Sequence, residues 1–130
     1  MTNRRKELLY YDYDFTNLDL YGEDLIAVII KHRDLAGACF NSADISQGVF
    51  RGIVKECSFQ NATLKYANFK GCKIHNVNFS GSCLFDATFE NTKIIGCDFR
   101  GAFFNDTDFR GAIIEDCIGL PDFDGDNLFN

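Results

Sequence analysis

A chain of 130 residues makes one domain, and its formal charge of −6, from 13 basic and 19 acidic residues, comes with no dense basic stripe to neutralise phosphates, which argues against nucleic acid as a direct partner. No apolar run is long enough to span a bilayer, and Met1 to Lys6 is charged without the continuous apolar segment of a signal peptide after it. A cytoplasmic protein without membrane contact is therefore expected, secretion as a bacterial effector being the other reading.

From the N-terminus, Phe15, Leu20, Leu25 and Ile30 stand five apart. The positions two before each large residue (Tyr13, Leu18, Glu23, Val28, Arg33) are too large or too charged for a small inward site. Residues 1–34 are read as a degenerate N-terminal coil or cap. Residues 35–117 carry the regular repeat: Leu35, Phe40, Ile45 and Phe50, then Val54, then every fifth residue from Phe59 to Ile114. Two before each large residue from Phe59 on sits Cys, Ala, Val, Ser or Thr. A period of five fits neither a helix at 3.6 nor a strand at 2, and a fixed short period marks a solenoid. One residue is missing between Phe50 and Val54, so a distorted corner is expected at Arg51-Gly52-Ile53. Residues 118–130 keep Ile118, Leu120, Phe123, Leu128 and Phe129, enough to cover an open apolar end, as terminal units of solenoids do.

A second period appears when the large positions are sorted by 20. Phe59, Phe79 and Phe99 fall together, as do Phe69, Phe89 and Phe109, and Ile74, Ile94 and Ile114; the remaining column is Leu64, Leu84, Phe104. Like residues stacking on like is what coils piled at about 4.8 Å produce. Glycines 52, 71, 81, 96, 101 and 111, with Asn61, Asn76 and Asn91, fall two after a large residue, where a corner needs positive φ.

The unit small–x–large–x–x, seen as Ala67-Asn68-Phe69, Ala43-Asp44-Ile45, Val77-Asn78-Phe79 and Cys97-Asp98-Phe99, resembles the pentapeptide-repeat family, whose pattern is roughly Ala-(Asp/Asn)-Leu-x-x. The resemblance implies an all-β solenoid, a right-handed quadrilateral parallel β-helix with four pentapeptides per coil, here about five coils of 20 residues.

Chemistry is not expected. Cys57, Cys72, Cys97 and Cys117 occupy small inward sites, there is no C-x-x-C, and His32 and His75 have no ligand-like spacing to them, so neither a metal nor a cofactor is expected. His75 is read as a solvated surface residue beside Lys55 and Ile95. Asp86, Asp98 and Asp108 lie outside, where they satisfy corners or water, and a filled tube offers no deep pocket, so the protein is read as no enzyme.

A solenoid does offer a long flat surface. Tyr66, Phe85 and Phe103 belong to one column, hence one face, and are the candidate partner-binding residues; Ile95 and Ile113 are placed on an adjoining face. The first expectation is a protein-interaction scaffold, of effector, adaptor or immunity type, with an unidentified protein partner. The resemblance adds a second, since quinolone-resistance members mimic DNA and bind type II topoisomerase. Residues 51–110 hold eight basic and six acidic residues, a net of +2, which is poor mimicry of a polyanion. A third is end-to-end homodimerisation through Leu120, Phe123, Leu128 and Phe129.

Overall fold

The computed structural model describes residues 14–31 and 34–122. Phe123, Leu128 and Phe129, among the end-cap candidates, lie outside the described residues. All regular structure among the described residues is β: β1 (Ile29–Lys31), β2 (Val49–Arg51), β3 (Ile53–Lys55), β4 (Lys73–His75), β5 (Lys93–Ile95) and β6 (Ile113–Glu115). Every pairing is parallel, with β1 on β2 and the order β3-β4-β5-β6 in the larger sheet.

The corner explains the period. At most corners on three of the four faces the N–H of the small residue turns back to the carbonyl of the large residue three before it, as from Ala62 to Phe59 at 3.0 Å and from Ala87 to Leu84 at 3.1 Å. The third residue of that turn has positive φ, as a type II turn requires: Asn61 stands at 58° and Asn91 at 58°. The residue before the large one closes the unit from outside. Asp98 Oδ1 accepts the N–H of Arg100 at 2.9 Å, Asn78 Oδ1 that of Ser80 at 2.9 Å, and Asp19 Oδ1 that of Tyr21 at 3.0 Å. The Asp/Asn of the repeat is thus a local cap on the corner.

Three such turns and a bend after each strand of the β3–β6 sheet close a square. Face 1 carries the ladder Asp19, Cys39, Ser58, Asn78, Asp98, Ile118; face 2 carries Asp24, Asp44, Thr63, Cys83, Phe103. Face 3 runs from β1 and β2 through Asn68, Thr88 and Asp108, and face 4 is the β3–β6 sheet. Rungs are 20 residues apart except across the slip, where Cys39 pairs with Ser58, Asp44 with Thr63 and Val49 with Asn68, each a step of 19. The regular sheet of face 4 makes four rungs, slightly fewer than the expected five coils; single bridges and the β1–β2 pair carry the remainder.

The missing residue is absorbed at Gly52. Between β2 and β3 there is a one-residue bend, and Gly52, at φ 88°, serves both as corner and as the small inward residue. Only a residue without a side chain does both.

Inside the tube the phenylalanines form two continuous stacks. Phe40, Phe59, Phe79 and Phe99 stack at 4.8, 5.4 and 5.0 Å between ring centroids; Phe50, Phe69, Phe89 and Phe109 at 4.5, 5.0 and 4.9 Å. The stacks meet edge to face, as Phe79 meets Phe89 at 5.8 Å and 87°. Each of these rings except Phe40 therefore has both geometries that its quadrupole favours. Buried hydroxyls are satisfied by main-chain carbonyls: Ser82 Oγ donates to Phe79 O at 2.7 Å, Thr92 Oγ1 to Phe89 O at 2.6 Å, Thr107 Oγ1 to Leu84 O at 2.7 Å.

The two ends differ. Residues 14–31 pair rung for rung with the coil after them, and the large Val28 is wholly buried in what elsewhere is a small site. Phe15, Leu20, Leu25 and Ile30 are likewise buried. At the other end Phe104, Ala112, Ile114, Cys117 and Leu120 are only partly covered.

Candidate functional site

Outward side chains alone are free to carry function, and they sort by face. On faces 1 and 3 the carboxylates are already engaged. Arg100 donates through Nε and Nη2 to both oxygens of Asp98, at 3.1, 3.2 and 2.8 Å, and Arg110 does the same to Asp108 at 3.0, 3.0 and 2.7 Å. Those side-chain hydrogen bonds hold both carboxyls below their ordinary pKa. Glu90 lies between Lys70 at 3.6 Å and Arg110 at 3.9 Å. Asp98, Asp108 and Glu90 are thus each compensated by a basic neighbour.

The cysteines stand where the spacing put them. Cys57, Cys72 and Cys97 are buried, and burial lifts their thiols to about 12, 11 and 12. Cys97 Sγ donates to Ile95 O at 3.5 Å and Cys117 Sγ to Glu115 O at 3.3 Å, so these thiols sit in the backbone ladder as small side chains. Among the described residues no group of three or more His, Cys, Asp or Glu is placed to hold a metal.

His75 lies in β4 between Lys55 and Ile95, yet the reading of a solvated histidine needs correction. The ring is half-buried, with Nε2 screened from solvent and without a hydrogen-bond partner. The reason is general to ladders: at about 4.8 Å per rung, side chains of neighbouring coils cover one another.

Tyr66, Phe85 and Phe103 do come together on face 2. Tyr66 N–H donates to Phe85 O at 3.0 Å across one coil, Leu84 N–H to Phe103 O at 2.9 Å across the next, and Phe103 is bridged to Cys83. Tyr66 is 61% exposed and Phe103 59%, while Phe85 is half-buried with Lys65 Nζ 5.8 Å from its ring centroid. That contact is a cation–π pair, and it holds the lysine stem over the aromatic surface. Ile95 and Ile113 are not on an adjoining face as expected; they belong to β5 and β6 on face 4, across the tube from face 2. Counting columns rather than proximity along the chain separates the two faces.

Sequence reasoning missed one feature of this site. Tyr66 has φ 59°, a left-handed conformation uncommon for a bulky side chain. The face 2 corner has no glycine at all: Ala27, Gln47, Tyr66, Asp86 and Asp106 all take positive φ there. The signal was available, since Tyr66 falls two after Leu64, the place filled by Gly or Asn elsewhere. Tyr66→Gly is expected to stabilise the protein by about 0.5–1 kcal/mol, a left-handed penalty of about 1–2 relieved against about 0.5–1 of added chain entropy. Urea unfolding measures it; a destabilised variant would mean that the ring supplies packing worth more than the strain.

Among the described residues no helix is long and apolar enough to cross a membrane. No functionally curated sequence matches the chain. Solved structures do: a pentapeptide repeat protein from the Arabidopsis thaliana thylakoid lumen is 18% identical, over 88% of this chain and 77% of that one, with a TM-score of 0.47. QnrB1, a plasmid-mediated fluoroquinolone resistance protein, is 14% identical over 82% and 77%, with a TM-score of 0.44. Rfr23, from the cyanobacterium Cyanothece 51142, is 17% identical over 81% and 90%, with a TM-score of 0.39. The family profile described as pentapeptide repeats (9 copies) matches residues 59–118. That match falls on the stretch where four columns of large residues stack and every fifth residue turns a corner, so residues 59–118 are a run of pentapeptide repeats.

Proposed function

We propose that this chain is a non-enzymatic scaffold that presents face 2 of its β-helix to a protein partner, with Tyr66, Phe85 and Phe103 as the contact. The observation that carries the reading is the exposure of Tyr66 and Phe103, 61% and 59%, on one face beside Phe85. Aromatics clustered on a flat surface are the residues that anchor interfaces, and nothing in the core requires them there. Capture on immobilised protein from the source organism's lysate tests it. A Phe85→Glu/Phe103→Glu variant is expected to lose a partner that wild type retains, while Asp98→Lys/Asp108→Lys keeps it. The reverse pattern sinks the reading.

A DNA mimic bound to type II topoisomerase is the weaker reading. It needs free anionic charge along the shaft, and Asp98, Asp108 and Glu90 are each spent on a basic neighbour. Capture of topoisomerase subunits, lost on reversing those carboxylates, would favour it.

End-to-end self-association is compatible with the main reading. Its specific support is the partly covered end formed by Phe104, Ile114 and Leu120, next to β6, which among the described residues has a neighbour on one side only. An oligomer should change mass in light scattering when the chain is cut after Cys117; an unchanged mass removes this reading.

A further inference from the structure

We propose that face 4 is a second docking surface, and that its occupant is an amphipathic α-helix whose contact row reads apolar–acidic–acidic–apolar at i, i+3, i+7 and i+10. The strands β3 to β6 are in register, so Ile53, Lys73, Lys93 and Ile113 stack in one outward row. Ile53 is 51% exposed and Ile113 57%, and both lysines are exposed. Neither lysine has an ion-pair partner among the described residues. Like charges directly opposed on neighbouring strands oppose folding. The chain has acid in excess, with a net charge of −6, and elsewhere sets it against Arg two residues away or Lys one coil away. Here it leaves two stacked lysines open between two open isoleucines. Charge complementarity therefore calls for carboxylates from outside, bracketed by apolar residues.

Spacing selects a helix as their carrier. Rungs about 4.8 Å apart put the four side chains at roughly 0, 4.8, 9.6 and 14.4 Å along the tube axis. A helix laid along that axis, rising about 1.5 Å per residue, puts i, i+3, i+7 and i+10 at roughly 0, 4.5, 10.5 and 15 Å. A β-strand on the same line repeats on one face about every 6.6 Å and is out of step by the third rung. The neighbouring row of face 4 begins at Lys55 and ends at Glu115, which sets the direction: the negative C-terminus of the docked helix lies over Lys55, its N-terminus over Glu115. Faces 2 and 4 are on opposite sides of the square, so occupation of one leaves the other open, and the two surfaces stand or fall separately.

The test uses the full chain and fluorescein-labelled synthetic peptides read by anisotropy. One peptide is helix-favouring with Leu at i and i+10 and Glu at i+3 and i+7; a second has Lys in place of both Glu; a third is the acidic peptide broken by a central proline. Wild type is expected to bind the acidic helix about tenfold tighter than the basic one, Lys73→Glu/Lys93→Glu to reverse that preference, and Phe85→Glu/Phe103→Glu to leave it unchanged. Lys73→Glu alone turns the like-charged pair into an opposite one and gives a folded comparison, checked by thermal melting. Equal affinity for the acidic and basic helices, or no binding of the acidic one, overturns the proposal. Undiminished binding of the proline-broken peptide would reassign the face to an extended acidic segment. Binding to phosphatidylserine-containing vesicles that the double variant abolishes, without helix binding, would reassign it to an anionic lipid surface.

Discussion

Phe79→Ala is expected to lower the free energy of unfolding by about 3–5 kcal/mol. Phe79 is wholly buried and is held on four sides: stacked on Phe59 at 5.4 Å and Phe99 at 5.0 Å, and met edge to face by Phe69 and Phe89, each at 5.8 Å. Truncation removes the transfer energy of a ring together with its contacts in both stacks. The walls cannot close over the gap, because each coil is fixed at its rung by main-chain hydrogen bonds to the coils above and below. A domain whose total stability is about 5–15 kcal/mol loses much of it. Urea unfolding of wild type and variant measures the loss; a change below about 1 kcal/mol would mean that the stacks relax, and that the ladder rather than the core holds the tube together.

Gly81→Ala is expected to cost about 1–3 kcal/mol, with part of it recoverable at a second site. Gly81 has φ 67°, and a Cβ built there runs into the side-chain oxygen of Asn61 on the coil before it. The same pairing recurs as Asn17 over Gly37, Asn76 over Gly96 and Asn91 over Gly111. Corners therefore stack with an Asn side chain in the space that its partner glycine leaves. In a double-mutant cycle, Asn61→Gly should remove the steric part of the cost of Gly81→Ala and leave the left-handed penalty. Strict additivity of the two changes would show that the corners do not touch.

The spacing of large residues carried the architecture because a five-residue turn with one inward side chain is a local rule, repeated. It placed the Phe columns, the buried cysteines and the slip at Gly52, since each follows from which residue must point inward. It was weaker where a corner is decided by neighbours one coil away. Tyr66 at positive φ and the Asn-over-Gly pairs depend on stacking, which the one-dimensional order shows only after sorting by coil. The placing of Ile95 and Ile113 failed for a related reason, as adjacent columns in a list are not adjacent faces of a square. Outward residues are the least legible. Asp98 reads in sequence as satisfying a corner or water, and in the fold it is a corner cap that is also paired with Arg100; His75 reads as solvated and has a screened Nε2.

That division shapes the functional reading. The inside of the tube is determined by packing, and the acid outside is largely absorbed by corners and neighbouring arginines. What remains without a structural duty includes the aromatics of face 2 and the open row of face 4. Tyr66 is held on face 2 against its own backbone preference, at a corner where Ala27, Gln47, Asp86 and Asp106 also take positive φ.

The most direct test is to place a photo-crosslinking amino acid at position 103, on face 2, or at position 98 or 108, on faces 1 and 3, and to irradiate cells expressing each variant. Adducts of higher mass from position 103, with none from 98 or 108, are the expected result. Adducts from 98 and 108 and none from 103 would contradict it, and would move the function from the aromatic face to the carboxylates of the shaft.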